Sequence, residues 1–188
     1  VHFHPLSDET VIAHTGKISV ECFRVKHRID CWGFIFREIR NPRTVVPERA
    51  KSYEIPAAFF EQLKKGEDYR TKKGVIIPNE EVTVANTKGR TYAYCADTIY
   101  DISLADKIKD VDLVYHEATY LKAEHQRAAE RFHSTTEQAA DVARKANAKK
   151  LLIGHFSSRY EELDEFLSEA TEIFEHTELA REGVSFLI

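Results

Sequence analysis

Residues 91–174 alternate short apolar runs with helical patterns, and each apolar run closes on a polar or ionisable tip. TYAYCADT (91–98) reads as a strand ending in Asp97-Thr98, and DLVYHEATY (112–120) as a strand with polar residues at its end. LLIGH (151–155) reads as a third strand, in which Gly154 turns the backbone so that His155 faces outward. Residues 103–109 and 122–131 read as helices. Ser134-Thr135-Thr136-Glu137 matches a capping box with Ser134 as N-cap and Glu137 at N3. It opens a helix with Ala139, Val142, Ala143 and Ala146 on one face, ending near Asn147. Residues 163–174 read as the next helix and GVSFLI (183–188) as a last strand. Strands alternating with helices argue for α/β layers.

Upstream the texture differs. KISVECFRV (17–25) alternates polar and apolar residues, and CWGFIFREI (31–39) places Trp32, Phe34 and Phe36 on one face. The two read as an antiparallel pair about the turn 26–30. Prolines 42, 47, 56 and 78 then punctuate a segment, 41–88, that reads as an inserted arm. Pro47 and Pro56 each open a short helix, the second stopped by Gly66, and residues 75–77 read as a short strand. From Arg40 to Arg90 eleven Lys/Arg face seven Asp/Glu, a surplus of four. With a net charge of −4 for the chain, the remainder carries −8. An acidic body with a basic insert suits a polyanionic partner.

Other function classes fall away. No apolar run approaches the roughly 20 residues that span a bilayer, and no signal-peptide pattern opens the sequence. Three cysteines without CxxC spacing argue against a disulfide framework or a Cys-type zinc site, which leaves reduced thiols in a cytoplasmic protein. The sequence has no methionine and begins Val1-His2-Phe3-His4-Pro5, so it reads as processed or truncated.

His27, Asp97, His116-Glu117 and His155 all stand at strand ends, where α/β folds gather functional groups. Singly, each has a structural reading: a histidine after a strand is commonly structural, and Asp97-Thr98 suits a helix N-cap. Jointly, two histidines and an aspartate suit zinc or manganese. Two metals need about seven or eight ligand positions, which three residues cannot supply.

VKHRIDCWGF (25–34), YCADT (94–98), HEATY (116–120), HSTTEQAADVA (133–143) and GHFSSRY (154–160) resemble, in order and spacing, the later motifs of ribonuclease Z. This is the tRNA 3′-processing branch of the metallo-β-lactamase superfamily. The resemblance implies an αββα sandwich of which this chain is the C-terminal part, with residues 41–88 as a flexible exosite arm gripping tRNA. It implies that His27 binds one metal, His155 the other, and Asp97 bridges them. His133 then donates a proton to the leaving ribose 3′-oxygen, with Glu117 orienting it. Arg159, Ser134 and Thr135 lie near the scissile phosphate, and Lys64 and Lys65 meet RNA on the arm. Two zinc ions (manganese or another divalent metal as the alternative), precursor tRNA as substrate and a homodimer follow from the same resemblance.

The departures bear on activity. The family's leading HxHxDH motif is absent: His2-Phe3-His4 continues Pro5-Leu6-Ser7-Asp8. The arm carries Ile55-Pro56-Ala57-Ala58 where many members have Gly-Pro. The chain alone is therefore expected to bind zinc weakly, to leave tRNA uncut and, with apolar surface exposed, to self-associate. Two alternatives remain open: another metallo-β-lactamase-fold phosphodiesterase or hydrolase, and a non-catalytic tRNA-binding or dimerisation fragment.

Overall fold

The structure, a computed structural model, describes residues 3–188, so His2 lies outside it. In chain order the elements are β1 (Thr10–Thr15), β2 (Ile18–Val25), β3 (Cys31–Glu38), β4 (Arg43–Val45), α1 (Pro47–Ser52), α2 (Phe60–Lys65), β5 (Tyr69–Arg70), β6 (Ile76–Ile77) and α3 (Asn79–Val82). There follow β7 (Thr83–Ala85), β8 (Thr91–Cys95), α4 (Leu104–Lys107), β9 (Leu113–Glu117), α5 (His125–Arg131), α6 (Thr136–Lys145), β10 (Lys150–Gly154), α7 (Asp164–Thr171) and β11 (Thr177–Leu179). The chain divides into two compact units: one runs to Glu38 and resumes at Arg90, and the other is Ile39–Gly89.

The larger unit is built on a seven-stranded sheet in the order β1-β2-β3-β8-β9-β10-β11. β1, β2, β3 and β8 pair antiparallel, whereas β8, β9, β10 and β11 pair parallel with helices in the crossovers. One sheet face, with Phe23, Ile35, Ala93, Val114, Leu151 and Ile153, is sealed by Ala139, Val142 and Ala143 of α6 and by Phe166 of α7. The small residues on α6 let that helix lie close to the strands. The opposite face carries Trp32, Phe34 and Phe36 with Tyr92, Tyr94 and Tyr115. Phe36 stacks on Tyr92 at 5.7 Å and Tyr94 on Tyr115 at 4.9 Å, as directly opposed cross-strand pairs do. These aromatics are half-buried, so of the two faces of β3 it is the one bearing Ile35 that enters the main core.

Several local expectations shift. The capping box sits one residue later, with Thr135 as N-cap and Gln138 at N3: the Thr135 hydroxyl accepts from Gln138 N–H, and the Gln138 side chain accepts from Thr135 N–H at 2.9 Å. Ser134 is drawn away because its N–H and hydroxyl are engaged elsewhere. Residues 183–188 form no strand, and Leu187 is 81% exposed. The last strand is β11, whose Thr177 and Leu179 are buried against β10. β1, an exposed edge strand, carries no alternating apolar signal and was not anticipated.

The Ile39–Gly89 unit has its own small core of Val45, Ala50, Ile55, Leu63, Ile77 and Val82. Asn79 ties it together, its Nδ2 donating to the carbonyls of Leu63 and Glu67, both at 2.8 Å. Gly66 ends α2 at φ 98°, where a side chain would be strained. Residues 57–59 form a 3₁₀ turn ahead of α2 rather than its first α-turn. Among the described residues no helix is long and apolar enough to cross a membrane.

Candidate metal and acid–base site

The site lies at the carboxyl ends of β8, β9 and β10. Asp97, Glu117, His133 and His155 each bring one donor atom to within 4.8 Å of the others. Glu117 is the last residue of β9, Asp97 and His155 follow its parallel neighbours β8 and β10, and His133 follows α5. That helix ends with Phe132 in the left-handed conformation (φ 61°), and the His133 N–H returns to the Ala128 carbonyl at 2.9 Å.

Glu117 is wholly buried and accepts five hydrogen bonds. Oε1 takes Thr98 N–H at 2.9 Å and His133 Nδ1–H at 2.7 Å. Oε2 takes the Thr119 hydroxyl at 2.6 Å, Thr119 N–H at 3.2 Å and Ser134 N–H at 3.1 Å. A carboxylate has about four lone-pair sites. None is left for a metal, so Glu117 is an anchor rather than a ligand. Burial by itself raises its carboxyl, but the bonds from His133, Thr119 and Ser134 outweigh burial and hold it below the usual range. In turn the hydrogen bond to Glu117 raises His133 above the ordinary imidazole value, against the opposing effect of burial. With Nδ1–H committed to Glu117, His133 presents Nε2 as its exchangeable proton position.

Asp97 and His155 form a second pair. His155 Nε2 lies 3.2 Å from Asp97 Oδ1, and both side chains are part-exposed. The Nδ1 of His155 lies 2.9 Å from the Thr119 hydroxyl. That hydroxyl gives its only proton to Glu117, so it accepts from Nδ1–H, and Nε2 is turned toward a carboxylate oxygen. A ring nitrogen and a carboxylate oxygen at this separation can share a proton or a metal cation. Two ligands at about 2.1 Å in a tetrahedral shell lie roughly 3.4 Å apart, close to what is seen. The donor chemistry therefore fits a divalent metal.

His27 stands beside the cluster rather than within it. Its ring lies 5.1 Å from that of His133, and Nδ1 donates to the Phe132 carbonyl at 2.9 Å. A carbonyl only accepts, so neutral His27 also keeps Nε2 free for a metal, oriented by its outer partner. Its segment is zipped to the Asp97 loop: Lys26 N–H donates to the Thr98 hydroxyl at 3.2 Å, and Ile99 N–H to the Lys26 carbonyl at 2.8 Å. No helix begins at Asp97-Thr98, so the N-cap reading of that pair does not apply.

Gly154 has a different purpose from the expected one. It is His155 that adopts the left-handed conformation (φ 61°). Gly154 continues the strand, and a Cβ there would stand 2.5 Å from the Tyr115 hydroxyl and 2.8 Å from its ring. The glycine makes room for the stacked tyrosine. Beyond His155 the loop is pinned by Phe156 and Tyr160, each 4.8 Å from Phe166, and by Ser157 N–H donating to the Thr119 carbonyl.

The remaining expected residues are placed as follows. Ser134 and Thr135 are buried, and the Ser134 hydroxyl donates to the Thr98 carbonyl at 2.8 Å. Arg159 is half-exposed and pairs with Glu124 at 3.4 Å. Lys64, on α2 of the smaller unit, pairs with Glu61 at 2.6 Å, and Lys65 follows it. His116 points into the core; its Nε2 is the buried side-chain polar atom without a partner among the described residues, and burial lowers its pKa. Thr119 carries connections that the sequence did not single out, and Thr98, read there only as part of an N-cap pair, instead ties Lys26, Glu117 and Ser134 together. The only signal was a hydroxyl residue directly after Asp97 and two after Glu117.

No protein-family model matches the chain. It is 40% identical over 190 residues to a ribonuclease Z of Bacteroides thetaiotaomicron, a match covering 100% of this chain and 60% of the relative. It is 42% identical over 178 residues to a ribonuclease Z of Phocaeicola vulgatus, covering 95% and 58%. The chain thus spans about three-fifths of the length of the curated relatives it matches. Among solved structures it superposes on the metallo-β-lactamase fold protein YhfI of Bacillus subtilis with a TM-score of 0.59 at 16% identity, covering 92% of this chain and 50% of that one. The short form of human tRNase Z gives 0.55 at 22% identity, covering 95% and 47%. The fold is that of the metallo-β-lactamase proteins, and over its whole length the chain matches a part of ribonuclease Z.

Proposed function

We propose that this chain carries the proton-donating and part of the metal-holding machinery of a tRNA 3′-endonuclease that hydrolyses a phosphodiester of precursor tRNA and leaves a 3′-hydroxyl. The observation that carries this reading is the pairing of a Glu117–His133 dyad, its carboxylate buried and its imidazole partly exposed, with an adjoining Asp97–His155 couple, in a chain 40% identical to a ribonuclease Z over 190 residues. Asp97, His155 and His27 would hold the metals, zinc in the first instance and manganese in the second. Bound there, divalent metal would supply Lewis-acid stabilisation of the phosphate and a water activated at neutral pH.

The chain's own residues do the rest. Glu117, fixed by five donors, keeps Nδ1–H of His133 occupied and stabilises its charged form, so His133 delivers a proton from Nε2 to the leaving ribose oxygen. Arg159 is held by a half-exposed ion pair worth less than about 1 kcal/mol, and exchanges Glu124 for a non-bridging phosphate oxygen. Ser134 and Thr135 act by placing His133 and starting α6. The Ile39–Gly89 unit grips RNA through Lys64, Lys65, Lys72 and Lys73, by phosphate and shape rather than sequence. The whole protein works in the cytoplasm as a homodimer. The 188 residues alone lack HxHxDH, bind metal weakly and do not cleave.

The test is a precursor-tRNA cleavage assay on the chain alone and on the chain supplemented with the HxHxDH-bearing part of a ribonuclease Z. Cleavage is expected only in the second case. Robust cleavage by the chain alone overturns the incomplete-site reading, and no 3′ processing in either case overturns the tRNA reading.

A further inference from the structure

We infer that Thr119 is a positioning residue that sets, through one hydroxyl, both the metal-facing tautomer of His155 and the anchoring of Glu117. The inference goes beyond the tRNA reading and rests on it only in calling the His155 position a metal ligand. The hydroxyl is buried, 2.6 Å from Glu117 Oε2 and 2.9 Å from His155 Nδ1. Glu117 is a carboxylate that accepts only, so it takes the single hydroxyl proton. The hydroxyl oxygen is then left to accept, and the only proton that His155 can offer there is Nδ1–H. Nε2 is therefore the bare nitrogen of the neutral ring, and it is Nε2 that faces Asp97 at 3.2 Å.

The same atom hydrogen-bonds to both halves of the site, which otherwise meet where the His133 and His155 rings stack at 5.2 Å. Without it, the neutral imidazole of His155 gains by placing its proton on Nε2 and donating to Asp97, and that tautomer offers no lone pair to a metal. Backbone groups of Thr119 hold their partners independently: its N–H donates to Glu117 Oε2, and its carbonyl accepts Ser157 N–H at 3.1 Å. Removing the hydroxyl should thus leave the 155–160 loop in place and act on the proton position. Valine at 119 keeps the side-chain shape and loses both bonds, whereas serine keeps both.

Long-range proton–nitrogen NMR of the metal-free, nitrogen-15-labelled 188-residue chain at alkaline pH reads the tautomers directly. Wild type and Thr119→Ser are expected to show His155 protonated at Nδ1, and Thr119→Val to show a shift toward Nε2–H with amide dispersion retained. Zinc affinity, measured by competition with a chromophoric chelator, should fall 10- to 100-fold in Thr119→Val and stay within about threefold in Thr119→Ser, the range for outer partners of metal ligands. Wild-type His155 protonated at Nε2 overturns the inference even if the valine variant fails to fold, as does a valine variant with an unchanged tautomer. A wild-type chain that shows the Nδ1–H tautomer but never cleaves tRNA when complemented upholds Thr119 and sinks the endonuclease reading instead.

Discussion

Replacing Glu117 by glutamine keeps the shape of the side chain and removes its charge. The carboxylate faces donors on both oxygens: Thr98 N–H and His133 Nδ1–H on one, Thr119 and Ser134 N–H on the other. The amide can turn its NH₂ to either side. Turned toward Oε1, it opposes Thr98 N–H, which cannot reverse, while His133 can switch tautomer. Turned toward Oε2, it opposes Ser134 N–H, and only the Thr119 hydroxyl can rotate to accept. Either way at least one buried backbone N–H loses its partner, at about 1–3 kcal/mol. The charge-assisted bond to His133 weakens as well. Relief of carboxylate burial offsets part of this, leaving a net loss of about 2–3 kcal/mol, or roughly 4–12 °C in melting temperature for a domain of this size. The loss also depends on pH. Glu117 raises His133, so their attraction contributes fully below the unfolded histidine value near 6.5 and fades as pH rises through the raised folded value. Urea titrations of both proteins at pH 6 and pH 9 should show the larger gap at pH 6, and NMR titration should show the His133 pKa lowered in the variant. A melting temperature within a degree of wild type, or an unmoved His133, refutes the account of Glu117 as anchor.

Gly154→Ala should cost about 1–3 kcal/mol by pressing on Tyr115, the usual penalty for overpacking. The cost should shrink in a Tyr115→Ala background, and strict additivity in that cycle would rule out the steric explanation. Asp112 is opposed by burial, but Lys149 and Thr91 hold its carboxyl below the usual value; its stabilisation is present above the unfolded value near 4 and lost as pH falls through the lower folded one. Asp112→Asn should therefore be less stable than wild type at pH 6, with the gap closing toward pH 3, which acid-dependent urea midpoints will show. Changing Lys64, Lys65, Lys72 and Lys73 to glutamine in the complemented protein should weaken tRNA binding and lower the salt slope by about three, whereas an unchanged slope counts against an RNA-facing arm.

Much of this organisation was legible because it rests on periodicity. The runs 91–95, 113–117 and 150–154 are short, apolar and flanked by helices, and the chemistry sits at their tips because a parallel sheet brings those tips together. Less legible was anything decided by a tertiary partner. HSTTEQ contains two overlapping capping registers, and the choice of Thr135 follows from Ser134 being held by Glu117 and Thr98. β11 has one large apolar residue, and its pairing with β10 arises from burial rather than pattern. Gly154 looked like a turn residue, yet its missing side chain is explained by a tyrosine one strand away. The division of labour between carboxylates was equally hidden. Asp97 and Glu117 each end a strand, and only the five donors around Glu117 mark it as saturated.

That division is the central claim of the proposed function: Asp97 and His155 would bind metal, whereas His133, whose donor atom belongs to the same 4.8 Å cluster, would serve as proton donor. Zinc affinity of the chain, read by chelator competition for Asp97→Ala, His155→Ala and His133→Ala, tests it most directly. The first two should lose at least a hundredfold and the third no more than about threefold. A His133→Ala protein that loses zinc as completely as the other two would contradict it.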